Sequence, residues 1–125
     1  MPNPECPSDE EIVRALTTAD WDEARGRYQS SAFAGAGISV SRLKILPLSE
    51  LVPIFRSDLE KPPKLLRAVG QIEVGALQQI GLEHQRPLTV VEAPTEKNPA
   101  HAEIPQQISR GLSLAVLAQL QLHRV

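Results

Sequence analysis

The segment Asn98-Pro99-Ala100-His101-Ala102-Glu103-Ile104 decides how this chain is read. Taken as a strand, it sets His101 and Glu103 on one face and Ala100, Ala102 and Ile104 on the other, because strand side chains alternate with period two. The β-branched run Pro87–Glu92 precedes it, and the turn Pro94-Thr95-Glu96-Lys97-Asn98-Pro99 joins the two. The pair therefore reads as a hairpin, and the fold is built on a sheet.

Other elements follow outward from that hairpin. Ile38-Ser39-Val40-Ser41-Arg42-Leu43-Lys44-Ile45 alternates, imperfectly, and is the strongest strand signal. Ala34-Gly35-Ala36-Gly37 before it is a bend of small residues. Ser49 starts a short helix through Leu59, with Pro53 an awkward member. Residues 65–74 read as a strand, and Gly75–Gly81 as a short helix closed by glycine.

The two ends read as helices. Ser8-Asp9-Glu10-Glu11 has the form of a capping box, and the helix behind it would bury Ile12, Val13, Leu16 and Ala19. After Pro105, residues 107–123 place Ile108, Leu112, Ala115, Ala118 and Leu122 on one helical stripe. Val116 and Leu120 widen the stripe, while Leu114 and Leu117 lie outside it. A helix so apolar packs in the core or against another chain. The expected fold is α+β: one domain over residues 1–125, with 1–7 a loose leader. It carries a small mixed or antiparallel sheet, a capped N-terminal helix, and a long apolar C-terminal helix packed on the sheet.

Composition limits the function. The chain has 125 residues, enough for one ordinary core, and its apolar and charged shares (42% and 22%) are those of a globular protein. Aromatic residues are few, so the core is aliphatic. The net charge of -2 gives no general attraction to nucleic acid or acidic lipid. Residues 1–23 carry seven acids against Arg14 alone, a balance of -6, and the rest carries +4. Such a split reads as a solvated helix face, with an acidic element packed on a mildly basic body or over a basic groove as the alternative. Lone Cys6 excludes an internal disulfide and a thiolate zinc site. No leader peptide or membrane-length apolar run is visible, so a cytoplasmic location is expected.

The chemical candidates are incomplete. His101-Ala102-Glu103 matches the first half of the zinc nucleobase-deaminase signature, but no Pro-Cys-x-x-Cys follows it. His84, His101 and His123 have no helical metal-ligand spacing. Gly35-Ala36-Gly37 lacks the third glycine of a dinucleotide fingerprint. Arg25 and Arg27 before Ser30 and Ser31, with a strand-borne glutamate far downstream, are loosely similar to the layout of ADP-ribosyltransferases, without fixed spacing and with few aromatics to stack a nicotinamide. Arg42, Lys44, Arg56, Lys61, Lys64 and Arg67 make only a weak case for nucleic acid.

Ser31-Ala32-Phe33, Gly37-Ile38-Ser39-Val40, Val74–Gly81 and Asn98–Glu103 together resemble a scattered set of small uncharacterised bacterial proteins. The resemblance implies bacterial origin and one compact domain, and carries no activity. The primary expectation is a non-catalytic interaction or accessory module that binds a partner or itself through Leu114, Leu117 and Leu120. The second is a small enzyme acting on a polar or phosphate-bearing substrate. There His101 and Glu103 would be catalytic, with Arg27, Ser30, Ser31 and Arg42 facing the substrate. Neither reading calls for a metal or cofactor.

Overall fold

The computed structural model describes residues 3–125. Eight strands and three helices follow in the order β1 (Glu11–Thr17), β2 (Trp21–Asp22), β3 (Arg27–Tyr28), β4 (Ile38–Arg42), α1 (Leu48–Leu59), β5 (Leu66–Glu73), α2 (Val74–Glu83), β6 (Val91–Glu92), β7 (His101–Ile104), α3 (Arg110–Leu117) and β8 (Gln121–Arg124). Six strands form one antiparallel sheet, ordered β6-β7-β4-β1-β5-β8, and β2 and β3 form a separate hairpin. The α+β class with an antiparallel sheet is as expected from the sequence.

The N-terminal helix is not there. Its residues form β1, the central strand, paired with β4 on one side and β5 on the other. Both faces of β1 are covered, so Ile12, Val13 and Leu16 are all buried and the spacing resembles a helix face. A strand buried on two sides and a helix segment give the same apolar pattern over so few residues. Pairing with two neighbours overrode the local capping signal. The Ser8 and Glu10 carbonyls instead accept from the N–H groups of Gly75 and Val74, so this segment caps α2 with its backbone.

The long C-terminal helix is also corrected. Ser109 caps α3, its hydroxyl accepting from the Leu112 N–H, but the helix stops at Leu117. The chain then turns and runs back as β8, pairing Gln121–Arg124 with Gln71–Ala68. Leu120-Gln121-Leu122-His123 alternates as an edge strand should, and that alternation was hidden inside a helical stripe.

Helices cover both faces of the sheet. α2 and α3 close over Ile12, Val40, Ile72, Ala102 and Ile104. On the other face, α1 closes over Val13, Val69 and Ala100 with Leu51 and Phe55. α1 begins at Leu48 rather than at a Ser49 cap, and Pro53 sits exposed within it. β5, α2 and the β6–β7 hairpin lie close to where the sequence put them, although β6 is only two residues long.

The leader is tied down from residue 4. Glu5 bridges to Val91, the Cys6 N–H donates to the Val90 carbonyl, and Cys6 is buried. This places Pro4 and Pro7 along the β6 edge, where they offer no N–H to a further strand.

Candidate functional site

On β7, His101 and Glu103 share the α1 face, opposite Ser41 and Ser39 of β4 respectively. The turn before β7 is fixed by Asn98, which is buried. Its side-chain oxygen accepts from the Ala100 N–H at 3.0 Å, and its amide donates to the Ser41 hydroxyl at 3.0 Å. His101 Nδ1 lies 2.7 Å from the Ala93 carbonyl. A carbonyl only accepts, so Nδ1 carries a hydrogen, and in the neutral ring Nε2 is the acceptor. Nε2 has no protein partner among the described residues and is open to solvent.

His101, Ser41 and Asn98 line a cleft of about 480 Å³ between the sheet and the C-terminal half of α1. Val13, Ala15, Phe55 and Leu59 give it an apolar lining, and Asp20, Asp58 and Lys64 also border it. Asp20 is partly engaged, taking the Thr17 N–H at 2.9 Å. The cleft thus joins apolar walls to a few convergent polar groups, the usual make-up of a small-molecule site.

The other residues expected to face a substrate lie elsewhere. Glu103 shares the sheet face of His101 but does not line the cleft. Arg42 alternates with Ser41, so it sits on the α2–α3 face. There its guanidinium meets both Glu10 carboxylate oxygens, at 2.6 and 3.2 Å, and Glu92 at 3.3 Å. The hydrogen bond that Arg42 donates to Glu10 raises the Arg42 pKa above its ordinary value, against the opposing effect of burial. Ser30 and Ser31 lie in a 3-10 turn beside α3, where the Ser113 hydroxyl donates to the Ser30 carbonyl. Arg27 is exposed on β3. The sequence-predicted constellation does not converge. Asn98 and Asp58 escaped the reading because local sequence does not show that α1 packs over the β4–β7 pair and its turn.

Arg14, beside the same cleft, forms no salt bridge among the described residues. Its guanidinium donates to the Ala32 and Ser39 carbonyls and lies 5.3 Å from the Phe33 ring centroid. Burial lowers its pKa, and the Asp20 charge opposes that fall. Among the described residues, no group of three His, Cys, Asp or Glu side chains is placed to hold a metal.

A second concavity, about 490 Å³, lies on the opposite face between the β2–β3 hairpin and the α3–β8 corner. Trp21, Tyr28, Leu114, Leu117, Ala118 and Leu122 line it. The Trp21 and Tyr28 rings meet edge to face at 4.9 Å, and the Arg67 guanidinium lies 3.7 Å from the Trp21 ring centroid. Leu114 and Leu122 are 43% and 50% exposed. Leu120 instead turns inward and packs on the core. Beside this groove, β8 is a bare edge of the sheet among the described residues, unlike the proline-flanked β6 edge. Comparison with protein families, curated proteins and solved structures gives no match.

Proposed function

We propose that this chain is a protein-interaction module that self-associates through β8 and the groove beside it. The observation that carries the reading is the bare edge strand ending in exposed Leu122 and Val125, next to exposed Leu114. An unprotected edge with apolar side chains is a template for another strand, and proteins usually blunt it with charge, proline or a bulge. Among the described residues prolines flank the β6 edge, whereas β8 carries only the charge of Arg124 beside exposed Leu122.

A second copy suits this edge because β8 is self-complementary in antiparallel register. Centred on Leu122, a two-fold axis sets Leu122 against its own copy and Gln121 against His123. Arg124 then falls opposite Leu120, clear of the other Arg124. The interface is isologous and closes, so it yields a dimer rather than a filament. Leu114 and Leu117 serve as its apolar flank, and Leu120 serves the protomer's own core.

Sedimentation equilibrium tests the proposal. The expected result is a dimer, converted to monomer by Leu122→Lys with unchanged circular dichroism. A chain that stays monomeric at about 100 μM, where even weak specific dimers form, overturns self-association. So does a dimer that Leu122→Lys leaves intact.

A further inference from the structure

We infer that the cleft between α1 and the β4–β7 face binds an uncharged polyhydroxylated ring, a neutral sugar either free or as the ribose of a nucleoside. The argument starts from two unmet hydrogen-bonding valences on neighbouring strands. Ser41 is 2% exposed, and its hydroxyl oxygen accepts from Asn98. The hydroxyl hydrogen has no acceptor among the described residues, although a buried donor without a partner is costly. Directly across the strand pair, His101 Nε2 offers a lone pair and has no donor, because Nδ1–H is spent on the Ala93 carbonyl. Cross-strand neighbours stand about 5 Å apart at their Cβ atoms. One ligand hydroxyl placed between them accepts from Ser41 and donates to His101, and satisfies both.

The charges select the rest of the ligand. Two acids, Asp20 and Asp58, border the cleft with two bases, Arg14 and Lys64, so it has no net pull on either sign. The Arg14 guanidinium is already committed to two carbonyls. A phosphate or carboxylate would find one uncommitted cation, Lys64, and meet Asp58 as well. The Asp58 carboxylate, exposed on α1, instead suits a pair of vicinal hydroxyls, each donating to one oxygen. The apolar walls of Ala15, Phe55 and Leu59 match the C–H face of a sugar ring. The volume of about 480 Å³ accommodates a nucleoside as readily as a free monosaccharide.

Titration of the protein with D-ribose, uridine and ribose 5-phosphate, followed by backbone amide NMR shifts, tests the inference. Ribose or uridine is expected to move the Ser39, Ser41 and His101 amides saturably, with Kd of about 1 mM or below. Ribose 5-phosphate is expected to bind at least about tenfold more weakly. Uridine binding tighter than ribose assigns the site to a nucleoside, and equal binding assigns it to the free sugar. Ser41→Ala should abolish binding. Because that change also frees Asn98, Asp58→Asn, on an exposed helix position, is the second variant and should weaken binding about tenfold. Absence of saturable shifts with both ribose and uridine overturns the inference. So does a phosphate ester that binds equally well, or an Asp58→Asn protein of undiminished affinity. The Leu122→Lys monomer should bind these ligands unchanged, which separates this site from the dimer edge.

Discussion

Leu120 lies directly over Gly70: a Cβ built on Gly70 would stand 2.7 Å from Leu120 Cδ1 and 3.4 Å from its Cγ. The bare glycine lets the turn after α3 fold down onto β5, and so sets the height at which β8 joins the sheet. Gly70→Ala asks only that the end of Leu120 swing aside. Gly70→Val adds two methyl groups that Leu120 cannot clear, and should cost about 1–3 kcal/mol, as overpacking does. Hydrogen exchange should then show lost protection at Gln121–Arg124 with β1 and β4 still protected. Uniform loss across the sheet would show that β8 is not a separable unit.

Arg42 holds the start of β1 to the sheet through Glu10, which is 5% exposed, and through Glu92 at the end of β6. Arg42→Leu removes the only cation that pairs with buried Glu10 among the described residues. Breaking one side of such a pair typically costs about 3–5 kcal/mol, because the remaining charge stays desolvated. The double variant Arg42→Leu with Glu10→Leu should recover most of that loss in urea denaturation. A single variant that loses less than about 1 kcal/mol would mean Glu10 reaches water when Arg42 is gone.

Cys6 should be silent towards thiol reagents in the folded protein. It is 4% exposed, and burial pushes its thiol pKa up, partly offset by the Arg42 charge. Unfolded, a thiol ionises near about pH 8.5. With the folded pKa above that, the stabilising contribution is complete below about pH 8.5 and drains away as pH rises through the folded value. Native protein at pH 8 should therefore react with iodoacetamide only as fast as it opens. The fall in stability between pH 8 and 10 should be shallower in Cys6→Ala than in the parent. Equal slopes would place the alkaline loss on other groups.

The sheet was legible wherever a strand is covered on one face or flanked by turn residues. β4, β5 and the β6–β7 hairpin meet that condition, and α2 is marked by its glycine. The two ends were misread for one shared reason. Ile12, Val13 and Leu16 are spaced like a helix face because β1 is buried on both sides. Leu120 and Leu122 extend the helical stripe of Leu112 and Val116 although the chain reverses after α3. In both places the deciding interaction is a pairing with residues some 30 to 60 positions away, which local periodicity does not register. The cleft was half visible for the same reason. His101 could be singled out within its own strand, but Ser41 and Asp58 join it only through the β4–β7 register and the packing of α1.

Asn98 shows how closely the fold and the cleft are linked. Its side chain satisfies the N–H of fully buried Ala100 and donates to Ser41, while its carbonyl accepts from the His101 N–H. Asn98→Ala orphans the Ala100 donor, and each unsatisfied buried group costs about 1–3 kcal/mol. Asn98→Asp keeps an acceptor for Ala100 and can accept the Ser41 hydroxyl hydrogen, reversing the direction of that bond. It should therefore denature closer to the parent than Asn98→Ala does. The same reversal takes away the one donor that Ser41 holds for a ligand, so Asn98→Asp should lose ribose or uridine binding while staying folded. An Asn98→Asp protein as unstable as Asn98→Ala would show that the donor to Ser41, not the acceptor for Ala100, supports the turn. A folded Asn98→Asp protein with full sugar affinity would remove Ser41 from the contact.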